Sequence, residues 1–286
     1  MQTLMDVATL KERLDSGQRT VLLDVRWALG DPHGREHYLQ EHLPGAVYVD
    51  LPSELADPAE PARGRHPLPP LEQFQASARA WGVRSGDTVV AYDDTGNTSA
   101  ARLWWMLRNA GLADVYLLDG ALAAWRSAGY GTESGERQAE PGDIVLSDGI
   151  LPVIDAGQAA AWAAHGVLLD ARAGERFRGE IEPVDPRAGH IPGAVSAPTG
   201  GNLDDDGRFL PAEQLAGRFA SLGVRPGVPT AVYCGSGVTA AHEIAALAIA
   251  GLPAALYPGS FTEWSNKPSH EVVTGAAPYA VDPAAE

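Results

Sequence analysis

The chain has 286 residues, of which 45% are hydrophobic and 20% charged, and this is enough apolar material for two domains of ordinary size. Its formal net charge of −16 makes nucleic acid and anionic membranes unfavourable partners. The single cysteine excludes an internal disulfide and a zinc site built on several cysteines, and we expect neither a metal nor another cofactor. A charged N-terminus and short, interrupted apolar stretches predict a soluble, cytoplasmic protein.

Short motifs from the first half of the chain return in the second half in the same order. The pairs are 21–26 with 167–172, 42–47 with 190–195, 82–84 with 223–225, and 120–125 with 259–264. Four ordered matches at a similar offset indicate two homologous halves. We therefore predict a first domain over 1–135, a linker over 136–149 and a second domain over 150–286.

In each half, short apolar runs alternate with stretches of helical periodicity. Strands are predicted at 21–25, 89–92 and 115–118 in the first half and at 167–169, 230–233 and 254–257 in the second, with helices over 99–110 and about 238–250. Apolar runs bounded by polar or glycine residues are typical of buried parallel strands. Each half is therefore predicted to be an α/β domain, a parallel sheet flanked by helices on both faces.

Residues 233–240, Tyr-Cys-Gly-Ser-Gly-Val-Thr-Ala, connect a predicted strand to a predicted helix. Ligands of open α/β sheets bind at the carboxyl ends of the strands, where this loop lies. Glycines allow several N–H groups to point at one centre, and the helix N-terminus also favours negative charge. Cys234 is therefore the candidate nucleophile. The amides expected to line its site are those of Gly235, Gly237, Val238 and Thr239.

The equivalent loop of the first half, residues 92–98, carries Asp93 in place of the cysteine, so we predict that this half is inactive. Two thiolate chemistries fit the loop at Cys234. A cysteine-based phosphatase requires an arginine six residues after the nucleophile, and that position is Ala240. A persulfide carrier requires only amides around an outer sulfur, so the loop favours sulfur transfer.

The chain resembles the rhodanese family of sulfurtransferases over nearly its whole length. Residues 38–46 are similar to the family's N-terminal signature and residues 254–264 to its C-terminal one. The resemblance implies tandem rhodanese domains with the catalytic cysteine in the second. It also implies a cycle in which a small-molecule donor gives sulfur to Cys234 as a persulfide, and cyanide, a thiol or thioredoxin removes it. By the same resemblance we expect a monomer.

Within the family, the loop Cys-Gly-Ser-Gly-Val-Thr is similar to that of 3-mercaptopyruvate sulfurtransferases. The thiosulfate branch carries Arg and Lys directly after the cysteine, where this chain has Gly235 and Ser236. The resemblance therefore favours 3-mercaptopyruvate as the donor. The alternatives are a thiosulfate:cyanide sulfurtransferase and a non-enzymatic binding module.

The resemblance also implies roles for charged residues outside the loop. Arg187 and Arg176 match the arginines that hold the donor's carboxylate and carbonyl, and an arginine fork suits a carboxylate. Arg178 is a rival to Arg176 because it lies nine residues before Arg187, the spacing expected from the family. His66 matches a histidine that pairs with the loop serine, Ser236, and could move the thiol proton.

Two further points concern residues near these motifs. The acidic member of a proton relay through His66 is left open, because Pro52 stands where the branch has its aspartate and Asp50 is merely nearby. His42 and His190 occur in both halves, so we predict that they serve the fold rather than catalysis.

Overall fold

The computed structural model describes residues 2–147 and 149–279, and within them it contains nine β-strands and eleven α-helices. The strands are β1 Leu4–Met5, β2 Thr20–Asp24, β3 Val47–Tyr48, β4 Thr88–Tyr92, β5 Val115–Leu118, β6 Val167–Asp170, β7 Ala194–Ser196, β8 Thr230–Tyr233 and β9 Ala255–Leu256. The helices are α1 Val7–Asp15, α2 Gly34–Gln40, α3 Leu51–Glu54, α4 Leu71–Ala80, α5 Ala100–Asn109, α6 Ala121–Ser127, α7 Ala156–Trp162, α8 Gly174–Phe177, α9 Ala212–Ser221, α10 Thr239–Ile249 and α11 Ser260–Ser265. None of these helices is long and apolar enough to cross a bilayer.

The chain divides into two compact units. Unit 1 comprises the described residues of 1–57, 68–151 and 203–210. Its five strands form a parallel sheet in the order β1-β5-β4-β2-β3. All but the first residue of β2 and of β4 are buried, as expected for a parallel sheet that is covered on both faces.

Unit 2 comprises the described residues of 58–67, 152–202 and 211–286. Its parallel sheet has the order β7-β6-β8-β9, which repeats the β3-β2-β4-β5 order of unit 1. A parallel bridge between Val153 and Leu256 occupies the edge that β1 holds in unit 1. The repeat seen in the sequence is thus a repeat of topology, and the α/β prediction is confirmed.

The two units differ from the predicted domain ranges in segments 58–67 and 203–210 and in residues 136–151, which belong to unit 1. Residues 58–67 group with unit 2, although they precede the first-half helix α4, and residues 203–210 group with unit 1. Within the predicted linker 136–149, Ile144 and Leu146 are buried, and the N–H of Ile144 donates to the carbonyl of Val83. This stretch therefore packs on unit 1.

The two repeated histidines are buried in the fold, as predicted. His42 stacks on Tyr38 with its Nδ1 2.8 Å from the Tyr38 carbonyl oxygen. His190 stacks on Phe177 with its Nδ1 2.9 Å from the Phe177 carbonyl oxygen. The same role recurs in both units, so the histidine fixes the turn that precedes the edge strand.

Candidate active site

Cys234 is the first residue after β8, the buried central strand of unit 2, and its side chain is almost fully buried. The N–H of Gly237 donates to Cys234 Sγ at 3.1 Å. Gly237 has a φ of 79°, a left-handed conformation that glycine adopts without steric cost. Val238 and Thr239 follow as the N-cap and first residue of α10, where backbone N–H groups lack partners within the helix.

The first turn of α11 holds the nucleophile loop in place through three hydrogen bonds. The N–H of Cys234 donates to Ser260 Oγ at 3.2 Å. The N–H groups of Phe261 and Thr262 donate to the carbonyls of Cys234 and Gly235, both at 2.9 Å. Residues 260–262 belong to the C-terminal signature, and these bonds explain why that signature accompanies the loop.

His66 and Ser236 are brought together as the resemblance implied. His66 Nδ1 lies 2.9 Å from Ser236 Oγ, and both side chains are buried. The bond joins residues 170 positions apart, and it forms because segment 58–67 belongs to unit 2. A proton can pass along this bond in either direction, depending on the tautomer of the imidazole.

Two arginines face the residue next to the nucleophile. A Cβ added to Gly235 would lie 3.0 Å from Arg65 Nη2 and 3.5 Å from Arg176 Nη1. Glycine at this position therefore lets both guanidinium groups approach the loop backbone. Arg176 is one of the predicted donor-binding residues, whereas Arg65 was not predicted.

Arg65 carries unsatisfied hydrogen-bonding capacity. Its Nε and Nη1 are buried without a hydrogen-bond acceptor among the residues that the structure describes. Buried donors of this kind are costly unless a ligand or water satisfies them. The sequence offered one signal for Arg65, its position directly before His66.

The guanidinium of Arg176 is oriented by two carboxylates. Its Nη2 donates to Glu182 Oε1 at 2.6 Å and to Asp185 Oδ2 at 3.0 Å, while its Nε donates to Glu182 Oε2 at 3.2 Å. Burial alone would raise the pKa of Glu182, but the bonds from Arg176 and from the N–H groups of Asp185 and Val184 outweigh it and lower that pKa. The Glu182 carboxylate is therefore anionic at neutral pH, and Nη1 of Arg176 is left directed at Gly235.

The structure gives the other two predicted arginines different surroundings. Arg178 is exposed and forks onto Glu180 at 2.7 and 2.8 Å, so of the two rivals Arg176 is the one beside the loop. Arg187 donates from all three of its nitrogens to four backbone carbonyls. These acceptors are Trp264 at 3.0 Å, Ser265 at 2.8 Å, Lys267 at 2.9 Å and His270 at 2.6 Å. Arg187 thus caps the C-terminal end of α11, and all three of its nitrogens are occupied by these carbonyls.

The equivalent loop in unit 1 surrounds a buried carboxyl group with N–H donors. Asp93 is fully buried, and its carboxylate accepts four N–H bonds, from Thr95, Asn97 and Ser99 at 2.8 Å and from Ala100 at 3.1 Å. Burial raises the pKa of Asp93, and the four donors oppose that shift. A loop with this backbone course can therefore surround one negative group with N–H donors.

Comparison with known proteins agrees with this geometry. The model of the rhodanese-like domain matches the chain twice, over residues 6–128 and 155–267. The chain belongs to the rhodanese family. It is a sulfurtransferase of the tandem-domain type, close to the 3-mercaptopyruvate branch, so the alternative of a non-enzymatic binding module is set aside.

Two curated relatives and one solved structure illustrate the similarity. A putative thiosulfate sulfurtransferase, SseB of Mycobacterium tuberculosis, is 47% identical over 96% of this chain and 98% of its own. A probable 3-mercaptopyruvate sulfurtransferase of Pseudomonas aeruginosa is 48% identical over 89% of this chain and 92% of its own. The crystal structure of SseA from Escherichia coli, described as a 3-mercaptopyruvate sulfotransferase with the rhodanese fold, matches with a TM-score of 0.81 and 31% identity over 91% of this chain and 99% of that one.

Proposed function

We propose that the protein transfers sulfur from 3-mercaptopyruvate to a thiophilic acceptor through a persulfide on Cys234. The observation that carries this proposal is the pair of guanidinium groups, from Arg65 and Arg176, directed at Gly235 beside the nucleophile. Planar N–H donors suit the carboxylate and carbonyl oxygens of a 2-oxo acid. We assign this role to Arg65 and Arg176, because the nitrogens of Arg187 are already bonded to carbonyls of the chain.

The first half-reaction attacks sulfur rather than carbon. The Cys234 thiolate forms an S–S bond to the donor's sulfur, and the C–S bond breaks with its electron pair going to carbon. The product is the enolate of pyruvate, which takes up the proton released from the donor's thiol and leaves as pyruvate. A guanidinium at the carbonyl oxygen stabilises the charge that develops there.

The proton that moves in this step is assigned to the Ser236–His66 pair. The 2.9 Å bond between the serine oxygen and the imidazole places a proton carrier two residues from the sulfur in the chain. In the second half-reaction, a small thiol, cyanide or thioredoxin attacks the outer sulfur of the persulfide. The S–S bond breaks, and Cys234 returns as the thiolate.

The persulfide anion is stabilised by N–H donors of the loop. The Gly237 N–H already donates to Sγ, and the four bonds to Asp93 show how the equivalent loop of unit 1 surrounds a carboxyl group. The N–H of Val238, at the N-terminus of α10, would bind the outer sulfur. Gly235 contributes to the site because it has no side chain between the loop and the two guanidinium groups. Thr239 contributes as the first residue of α10, whose N-terminus favours negative charge.

Thiosulfate is the second candidate donor, because a relative with 47% identity carries the name of a thiosulfate sulfurtransferase. Thiosulfate has no carboxylate and carries two charges on a compact group. Gly235 and Ser236 add no charge beside the sulfur, so we expect 3-mercaptopyruvate to exceed thiosulfate in kcat/KM by at least about tenfold, which corresponds to 1.4 kcal/mol.

The test is a comparison of wild type with Cys234→Ser. Wild type treated with 3-mercaptopyruvate should gain one sulfur atom by mass spectrometry, and cyanide or dithiothreitol should remove it. The serine variant should fold normally and show neither the added sulfur nor turnover. Turnover of the variant above a few per cent of wild type would refute the persulfide, and a preference of wild type for thiosulfate would refute the assignment of the donor.

A further inference from the structure

The carboxylate of Asp185 lies between the two arginines that face the nucleophile loop. Its Oδ2 accepts from Arg176 Nη2 at 3.0 Å, and its Oδ1 lies 3.9 Å from Arg65 Nη1. The side chain of Asp185 is only 1% exposed, compared with 21% for Arg65. Two guanidinium groups directed at one loop repel each other, and a buried carboxylate between them removes that repulsion.

Asp185 is also connected to the loop itself through Thr262. The Thr262 hydroxyl donates to Asp185 Oδ1 at 2.6 Å, while the N–H of the same residue donates to the carbonyl of Gly235 at 2.9 Å. One residue therefore fixes both the nucleophile loop and the carboxylate between the arginines. This connection therefore sets the distance between the Cys234 sulfur and the guanidinium groups of Arg65 and Arg176, which together form the arginine fork.

The charges around the fork cancel. The connected groups are the guanidiniums of Arg65, Arg172 and Arg176 and the carboxylates of Asp170, Glu182 and Asp185, three of each sign. Such a site supplies directed N–H donors with no net charge. It can bind a singly charged carboxylate through hydrogen bonds, but it offers little excess field for a dianion.

We propose that Asp185 is a specificity-determining residue, which positions Arg65 and Arg176 and, by its charge, favours singly charged donors over dianions. This inference rests on the proposed function, in which the fork binds a sulfur donor. Replacing Asp185 by asparagine keeps the shape and the acceptor for Thr262 but leaves the fork with one net positive charge. A donor with one more negative charge should gain about tenfold in relative rate at this partly buried site.

The experiment measures charge discrimination in two independent ways. The first is the ratio of the rates at which iodoacetate and iodoacetamide alkylate Cys234, and this ratio cancels any change in the amount of thiolate. The second is the ratio of kcat/KM for thiosulfate and 3-mercaptopyruvate. In both pairs the reagents differ by one negative charge, so Asp185→Asn should raise both ratios by a similar factor of about ten.

Two further variants separate charge from structure. Glu180→Gln removes an exposed carboxylate of the same segment and should leave both ratios within about twofold of wild type. Asp185→Asn combined with Arg65→Gln restores the cancellation of charge and should return the alkylation ratio to near the wild-type value. If Asp185→Asn alone is unfolded at the assay temperature, the comparison of Arg65→Gln with the double variant measures the same effect.

The outcomes distinguish this inference from the function on which it rests. An alkylation ratio in Asp185→Asn that stays within about twofold of Glu180→Gln, or a double variant that does not return toward wild type, overturns the role of Asp185 even if 3-mercaptopyruvate is a good donor. A shifted alkylation ratio in a protein that turns over neither donor supports the role of Asp185 and overturns the proposed donor chemistry.

Discussion

Replacing Arg187 by alanine should lower stability and leave donor binding nearly unchanged. The side chain makes four charge-assisted hydrogen bonds to backbone carbonyls around the end of α11, at 2.6–3.0 Å. Bonds to a charged group are worth about 1.5–3 kcal/mol each when a partner is removed, but the half-buried carbonyls can regain water. We therefore expect a loss of about 2–4 kcal/mol, which lowers Tm by about 5–15 °C.

Arg176→Ala is the matching change beside the loop, and in this variant we expect a loss of kcat/KM. Loss of the group directed at Gly235 should reduce kcat/KM for 3-mercaptopyruvate by about 10- to 150-fold, the equivalent of one charge-assisted bond. Arg178→Ala, which removes an exposed guanidinium two residues away, should change neither Tm nor kcat/KM appreciably.

The assays are thermal unfolding followed by circular dichroism, and steady-state kinetics at a temperature well below every Tm. A wild-type Tm together with a reduced kcat/KM in Arg187→Ala would contradict the capping role of Arg187. That result would return Arg187 to the donor-binding role that the family resemblance implied. Equal kinetic losses in Arg176→Ala and Arg178→Ala would remove Arg176 from the fork.

Three further changes test other parts of the structure. Gly235→Ala should raise KM for 3-mercaptopyruvate several-fold at an unchanged Tm, because the new Cβ would lie 3.0 Å from Arg65 Nη2 and displace that flexible guanidinium. A lower Tm with a normal KM would contradict this prediction. Asp93→Asn should lower the free energy of unfolding by about 2–4 kcal/mol, since an amide cannot accept four N–H bonds. An unchanged midpoint of urea unfolding would contradict that loss. Because the pKa of Glu182 lies below its ordinary value of 4.5, its carboxylate stabilises the fold above that pH and ceases to do so as acid protonates it. In Glu182→Gln, Tm should therefore decrease less than in wild type as the pH falls below about 4.5. Parallel profiles of Tm against pH in the two proteins would refute this prediction.

Features that depend on neighbouring residues could be predicted from the sequence. The strand, loop and helix around Cys234 follow from a short apolar run, two glycines and an alanine-rich stretch, and β8 and α10 lie within one residue of the predicted bounds. The pairing of His66 with Ser236 was also reached, but only through the family resemblance, since 170 residues separate them.

Features that depend on distant backbone could not be predicted in the same way. Arg187 finds its acceptors 77 to 83 residues later, among carbonyls whose directions are set by the end of a helix, and no side-chain motif encodes them. Arg65 was missed because its importance comes from the position of segment 58–67 in unit 2. The composition of that segment indicates only a loop.

Asp93 bears on how one copy of a duplicated enzyme can lose its chemistry and keep its shape. An active loop directs N–H groups at the thiolate and the persulfide of its cysteine, so losing the cysteine leaves those donors without an acceptor. A carboxyl group at the same position supplies oxygen acceptors for those N–H groups from within the chain. Substitution by aspartate can thus be tolerated where most replacements of the nucleophile would leave buried N–H groups unpaired and lower stability. The inactive domain can therefore persist as a stable scaffold over evolutionary time.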